Sequence, residues 1–239
     1  MRRLIVLSCA WLLVSAVYQP AHARPVLVEL FTSQGCSSCP PADNFLIELA
    51  DLDGVVALGM HVDYWDYLGW PDTLALAEFS QRQSAYNERL KSRYRLVTPQ
   101  MIVQGNAQFA GVQKSRVIAA IAALRDQPDP VVLEAERDGE RLLVRMAPKR
   151  DSAVVCSRTA PCSLYAAEVV PVVPVAIKRG ENHGRNIRYV NVVESWKRLT
   201  RWDGKSWEGQ FAGFNPEVQL AVILQERDTG QVFGVRHLD

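Results

Sequence analysis

The sequence has almost no charge imbalance and no repeated or low-complexity segment. Its 27 lysines and arginines nearly balance 26 aspartates and glutamates, which gives a net charge of +1 at pH 7. The charges are scattered, so no basic stripe indicates nucleic-acid binding and no acidic block indicates a solvated tail. Partners therefore have to be inferred from a site rather than from overall charge.

No apolar run is long enough to span a membrane as a helix. The run from Leu4 to Val17 is shorter than the roughly 20 residues that a spanning helix needs. Two arginines precede it and Ala21-His22-Ala23 follows as a cleavage site, which predicts a signal peptide over residues 1–23. The alternatives are an uncleaved anchor, which is too short, and a lipoprotein through Cys9, which almost no apolar segment precedes. We expect an exported protein, periplasmic or secreted, with no membrane span after cleavage.

Cysteines are few. The chain has five, and loss of Cys9 with the signal peptide leaves an even set of four in a compartment that permits disulfides. Cys156 and Cys162 lie between strand-like runs, and we predict that they form a structural disulfide. The alternative is a second redox pair that relays electrons to Cys36 and Cys39.

The most informative motif is Cys36-Ser37-Ser38-Cys39. It follows the apolar run Val26 to Phe31 and precedes the helical pattern Pro41 to Leu52, so both cysteines lie near a helix start, where a thiolate is stabilised. We predict that Cys36, nearer the loop and more exposed, is the nucleophile and that Cys39 resolves the mixed disulfide. Exchange needs no metal or organic cofactor. It needs a protein or small-molecule thiol or disulfide as substrate, and a redox partner to restore the pair.

Two other roles for this motif stay open. The pair could be an inert structural disulfide on a noncatalytic binding protein. A zinc site is disfavoured, because a closed site needs four ligands and the second cysteine pair has a different spacing. Copper held by two thiolates and His61 or His183 is a minor alternative. We therefore predict no metal site.

The pattern of elements changes near Gln127 to Pro130. Before it, the order strand, helix, strand, helix, strand, strand, helix resembles that of the thioredoxin fold. After it, runs of period two are separated by Asp-Gly turns, which is typical of a sandwich. The sequence therefore predicts an α/β thioredoxin-like domain over residues 24–127, followed by a smaller all-β, sandwich-like domain over residues 128–239.

Two polar or aromatic segments could add to the thiol site. The segment His61 to Trp70 is rich in aromatic residues, and its Asp63 is a weak candidate for the proton acceptor of Cys39, although plain packing is the simpler interpretation. The polar loop Gly180 to Asn186 could cover the thiol site or bind a partner. We favour a solvent-exposed turn for this loop.

Four phrases carry a resemblance to a known family: ELFTSQGCSSCPPAD, HVDYWDYLGWPD, TPQMIVQG and RGENHGRNIRYVNVV. Together they resemble the secreted, thioredoxin-like family catalogued as domain of unknown function 1223. The resemblance implies a thiol site in which Pro99 is a cis-proline that faces the cysteine pair. It also implies that Thr98, the residue before this proline, binds the substrate. The Ser37-Ser38 dipeptide differs from that of thioredoxins and of periplasmic oxidants, so the direction of exchange is left open.

Overall fold

The structure is a computed structural model that describes residues 24–150, 156–227 and 229–239. The predicted signal peptide and Cys9 lie outside these residues. None of the helices within them is long and apolar enough to cross a membrane. The helices are α1 Pro40–Ala50, α2 Ala77–Arg89 and α3 Lys114–Arg125, with a 3-10 helix at Asp66–Leu68. The strands are β1 Val26–Thr32, β2 Val55–His61, β3 Gln100–Val103, β4 Ala107–Ala110, β5 Val131–Asp138, β6 Arg141–Pro148, β7 Cys162–Ala176, β8 Asn186–Trp202, β9 Trp207–Phe211, β10 Gln219–Glu226 and β11 Val232–Leu238.

Strands from both halves of the chain form one mixed sheet. Its eight strands have the order β11-β10-β7-β8-β2-β1-β3-β4, and β5, β6 and β9 form a separate three-stranded sheet. The order of elements from β1 to α3 agrees with the sequence. The predicted fold class, an α/β thioredoxin-like domain followed by a smaller all-β domain, is wrong, because the chain is mainly β and four strands of its second half extend the sheet of the first. The boundary at residues 127 and 128 stays a prediction.

The two halves join where β8 runs parallel to β2. Gly59 pairs with Val192 there, and a side chain at Gly59 would lie 3.3 Å from the Val190 carbonyl oxygen. Glycine therefore allows the two backbones to approach. The Asn191 side chain adds a hydrogen bond of 2.9 Å to the Ala57 carbonyl oxygen. Hydrophobic periodicity identifies both strands, but it does not indicate that they are neighbours.

The β7–β8 hairpin is longer than the sequence pattern predicts. The pattern ends its first strand at Val170, yet β7 continues through Pro171 and Pro174. β10 pairs with β7 only over residues 162–169, so the later part of β7 is an edge on that side, where a proline removes no ladder bond. The hairpin tip, residues 177–185, consequently extends to the end of β1.

Three apolar clusters hold these elements together, and each is buried against the large sheet. α1 and α3 cover one face of the first-half strands, α2 covers the other, and the three-stranded sheet covers β7 and β10. The central strand β1 is buried along its whole length, as expected for a strand packed on both faces. Representative members of the three clusters are Leu30, Phe45 and Val117; Phe31, Phe79 and Tyr86; and Leu133, Val144, Leu164 and Val222.

Candidate functional site

A disulfide joins Cys36 and Cys39 where the chain passes from β1 to α1. Their Cα atoms are 5.4 Å apart, and Cys39 is the N-cap of α1. Two prolines follow at the helix start, where the first N–H groups have no partner within the helix and proline is tolerated. The pair thus lies at the positive end of the helix dipole, which stabilises a thiolate once the bond is reduced.

Both cysteines are buried, whereas the two residues between them are not. Cys36 and Cys39 are each 0% exposed, and Ser37 and Ser38 are exposed. The prediction that Cys36 is the more exposed cysteine is therefore wrong. The Ser38 hydroxyl oxygen lies 3.4 Å from Cys36 Sγ. Because exchange requires a thiolate to reach a sulfur atom, a neighbouring segment has to move before this disulfide can react.

Asp43 lies one helical turn after Cys39 on the buried face of α1. Its backbone N–H donates to the Cys39 carbonyl oxygen at 3.1 Å, so the two side chains are neighbours along the helix. The Thr32 hydroxyl donates to Asp43 Oδ1 at 2.7 Å, and Oδ2 has no hydrogen-bond partner among the described residues. Burial raises the pKa of the Asp43 carboxyl to about 7, against the opposing effects of Thr32 and His61. Such a carboxyl can exchange a proton with a thiol near neutral pH.

Further polar groups surround Asp43. His61, at the end of β2, places Nδ1 2.7 Å from Asp72 Oδ2, and the same oxygen accepts the Gln34 backbone N–H at 2.7 Å. The Tyr189 ring, on β8, packs edge-on against His61 with centroids 4.7 Å apart. Burial, together with the nearby carboxylates, raises the pKa of Tyr189, so its hydroxyl stays protonated. Asp72 thus connects β2 to the cysteine loop, residues 33–39 between β1 and α1.

The tip of the β7–β8 hairpin covers the cysteine loop. Asn182 is 1% exposed, and its Nδ2 donates to the carbonyl oxygens of Gln34 and Cys36 at 2.9 Å each. The carboxylate of Glu181 accepts the Ser37 backbone N–H at 3.4 Å. Apart from Asn182 the loop is exposed, as we favour for a turn, and it also covers the segment that contains the two cysteines, which is the alternative stated above.

Residues 27–225 match the family described as protein of unknown function (DUF1223). The chain belongs to the DUF1223 family. The crystal structure of protein AGR_C_4864 from Agrobacterium tumefaciens is similar, with 27% identity and a TM-score of 0.73 over 90% of this chain and 94% of that chain. Hypothetical protein PH1083 from Pyrococcus horikoshii OT3 has 12% identity and a TM-score of 0.23, over 46% of this chain and 87% of that chain. No curated protein matches.

The DUF1223 match includes the aromatic segment, which packs beside the cysteine loop. Trp70 Nε1 donates to Gln34 Oε1 at 2.8 Å. Gly180 has a φ of +74°, and a side chain there would lie 3.1 Å from Trp70 Cβ, so glycine is needed where the hairpin tip meets this segment. Two segments of the DUF1223 chain that are distant in sequence, the aromatic segment and the hairpin tip, therefore meet the cysteine loop.

The Thr98-Pro99 peptide bond is cis. β1 and β3 are antiparallel, and Pro99 directly precedes Gln100, the residue of β3 that lies opposite Phe31 near the end of β1. Thr98 is 8% exposed. The contact of Thr98 and Pro99 with a substrate chain, implied by the DUF1223 resemblance, stays a prediction.

Asp63, the proton acceptor suggested by the aromatic segment, is engaged elsewhere. The Ser80 hydroxyl donates to Asp63 Oδ1 at 2.5 Å, and the Asp63 N–H donates back to that hydroxyl at 3.3 Å. Asp43, not Asp63, shares the helix face of Cys39. The spacing of Asp43 in the predicted helix was the signal that could have identified it.

The histidines of the copper alternative do not come together with a metal-binding set. His61 is buried against Asp72, and His183 is exposed in the hairpin tip. Among the residues that the structure describes, no three His, Cys, Asp or Glu side chains form a group that could hold a metal ion.

The second cysteine pair also forms a disulfide in this DUF1223 chain. Cys156 and Cys162 have Cα atoms 5.4 Å apart, and both belong to the apolar cluster beneath the three-stranded sheet. Cys162 begins β7 and pairs with Trp202 of β8. This bridge closes a short loop at the base of the β7–β8 hairpin, which agrees with a structural role.

Proposed function

We propose that this chain is a thiol–disulfide oxidoreductase that exchanges disulfides through Cys36 and Cys39. The observation that carries the proposal is the pair's position at the start of α1, one turn before the buried carboxyl of Asp43. The helix start stabilises a thiolate, and the carboxyl can take or supply the second proton. An inert disulfide requires neither feature.

The reaction proceeds in two exchanges. A partner thiolate attacks Cys36 Sγ, a partner–Cys36 disulfide forms, and the bond to Cys39 breaks. Cys39 leaves as a thiolate and takes a proton from Asp43. A second partner thiolate then attacks the mixed disulfide and releases Cys36, so the pair gains two electrons while the partner's dithiol becomes a disulfide. In the reverse direction Asp43 accepts the Cys39 proton.

The proposal includes export to an oxidising compartment. Two disulfides support it, because such bonds persist mainly in the periplasm or outside the cell. The arginine pair, apolar run and small-residue cleavage pattern at the start of the sequence support it as well. The substrate is then a protein or small-molecule thiol or disulfide, and a second redox protein restores the pair.

One observation favours a second candidate function. Both sulfur atoms are fully buried, and resistant structural disulfides are commonly shielded in this way. In that case the chain is a noncatalytic binding protein, and the disulfide only fixes the loop before α1.

The reduction potential separates the two functions. We expect the Cys36–Cys39 pair to titrate reversibly in glutathione buffers, with a midpoint between roughly −120 and −270 mV, the range of catalytic dithiols. Thiol alkylation followed by peptide mapping reports this pair separately, with Cys156–Cys162 as a reference in the same sample. A Cys36–Cys39 pair that stays oxidised well below about −300 mV would establish the binding-protein alternative instead.

Asp43→Asn tests the proton transfer. We expect resolution of a glutathione–Cys36 mixed disulfide by Cys39 to be about 100-fold slower at pH 8, because the amide cannot accept the thiol proton. In the wild type the rate should fall below pH 7, where Asp43 becomes protonated. In the Asp43→Asn variant the fall in rate near pH 7 disappears, and the pH dependence of the rate follows ionisation of the Cys39 thiol alone. The rate is measured by quenched alkylation.

Asp63→Asn is the matched control, and it should keep the wild-type pH profile. A break near pH 7 that persists in Asp43→Asn would contradict the assignment. Unfolding provides an independent check: because the folded-state pKa of Asp43 is raised from 3.8, the folded protein retains a proton that the unfolded chain loses. Wild-type stability should therefore fall relative to that of Asp43→Asn as the pH rises from 4 to 7.

A further inference from the structure

The hairpin tip has backbone hydrogen bonds of its own, separate from its contacts with the cysteine loop that it covers. Its own backbone closes it, through Ile177 N–H to Arg185 O at 2.9 Å, Gly184 N–H to Ile177 O at 2.8 Å and Arg185 N–H to Asn182 O at 3.1 Å. These bonds do not involve the cysteine loop. The tip can therefore leave that loop as a unit without losing its internal hydrogen bonds.

Among the described residues, few polar contacts join the tip to the cysteine loop, and Asn182 makes the shortest of them. Its amide donates to the carbonyl oxygens of Gln34 and Cys36 at 2.9 Å, whereas the contact of Glu181 with Ser37 is longer and exposed. Asn182 is 1% exposed, and its Oδ1 has no hydrogen-bond partner among the described residues. The two carbonyl oxygens would lose a buried partner if this amide left.

We propose that Asn182 is a positioning residue that controls access to Cys36: the disulfide reacts only when the Asn182 amide leaves the carbonyl oxygens of Gln34 and Cys36. This inference rests on the proposed function and extends it. It explains how a pair with two fully buried sulfur atoms can react. Ser37 and Ser38 are already exposed, and the hairpin tip contacts the backbone on both sides of Cys36, so departure of the tip leaves Cys36 uncovered.

Control of access to Cys36 favours one kind of partner over another. A partner that displaces residues 180–184 exposes Cys36 and delivers its thiolate in the same encounter, whereas a free small thiol has to wait for the tip to open by itself. The favoured partner is therefore a protein dithiol that contacts the hairpin tip. The second half of the chain thereby contributes directly to thiol chemistry in the first half.

Asn182→Ala and Asn182→Asp test this proposal in the otherwise intact protein. Dithiothreitol reduces the oxidised protein, alkylation quenches the reaction, and peptide mapping follows each disulfide. We expect Cys36–Cys39 to be reduced roughly 5- to 100-fold faster in both variants, the effect of losing two hydrogen bonds from the closed state. The aspartate variant keeps the size of the side chain but replaces the amide donor with a carboxylate, whose negative charge also repels the two carbonyl oxygens. Fast reduction in Asn182→Ala alone would mean that the side chain acts by packing, and the proposal would be wrong.

Asn191→Ala is the matched control, because it removes an amide on β8 that, like that of Asn182, donates to a backbone carbonyl oxygen at 2.9 Å. It should leave the Cys36–Cys39 rate unchanged, and the Cys156–Cys162 rate should be the same in all variants. Equal rates of Cys36–Cys39 reduction in wild type, Asn182→Ala and Asn182→Asp would overturn access control. The proposed function would still stand if the reduction potential of the wild-type pair lies in the catalytic range. A pair that remains oxidised in every glutathione buffer would overturn both.

Discussion

Replacing Cys36 with serine is expected to abolish disulfide exchange. A serine hydroxyl does not attack a disulfide and cannot form one with a partner's thiolate. The variant should therefore form no mixed disulfide and turn over no substrate at any pH. Turnover is measured as reduction of a glutathione-linked peptide by the reduced protein. Exchange by Cys36→Ser at a rate close to that of wild type would assign the nucleophile to Cys39 and reverse the proposed roles.

Cys39→Ser should give the opposite phenotype, because Cys36 still attacks but nothing resolves the product. The mixed disulfide then accumulates and is detectable by intact mass, which also allows capture of the natural partner. The control is Cys156→Ser/Cys162→Ser, which removes the second disulfide and should keep exchange at Cys36. If that control also lost exchange while remaining folded, the second pair would be an electron relay and its structural assignment would be wrong.

Local elements of this fold could be predicted from the sequence, but their neighbours could not. The run Val26 to Phe31, the helical spacing of Phe45, Leu46 and Leu49, and Gly105 in the β3–β4 turn all indicate the elements that form. Pairing of β8 with β2 depends on the close approach at Gly59, which no periodicity indicates. The sequence therefore suggested an α/β fold followed by a separate all-β fold, whereas one mixed sheet contains strands of both halves.

The candidate site also contains residues that the sequence indicates and residues that it does not. The cysteine pair and its position before α1 follow from the order of residues, and Asp43 could have been identified by helical spacing. Asn182 could not, since its partners Gln34 and Cys36 are 148 and 146 positions away along the chain. Burial of Cys36 was missed for the same reason. Contacts between distant segments, rather than the motif, decide whether this thiol is accessible.

A buried ionic network ties the two halves together beneath the sheet. Arg82 of α2 donates to Glu29 of β1 at 2.7 Å and to Gln225 of β10 at 3.0 Å. Tyr86 donates to the other oxygen of Glu29 at 2.6 Å, and the Arg82 guanidinium lies 4.2 Å from the centre of the Trp196 ring. The Glu29 side chain is 0% exposed, so its charge depends on these partners for stabilisation.

Arg82→Met should therefore destabilise the protein by about 3–5 kcal/mol, because it leaves the Glu29 carboxylate buried without its counter-charge. The change is measured as the free energy of unfolding in urea. Arg145→Met is the control: Arg145 binds Glu208 at the same 2.7 Å, but that pair is exposed and its loss should have a far smaller effect. Glu29→Gln in the Arg82→Met background should restore part of the loss, since it removes the unpaired charge. Equal losses for Arg82→Met and Arg145→Met would show that burial does not set the strength of the Arg82–Glu29 pair.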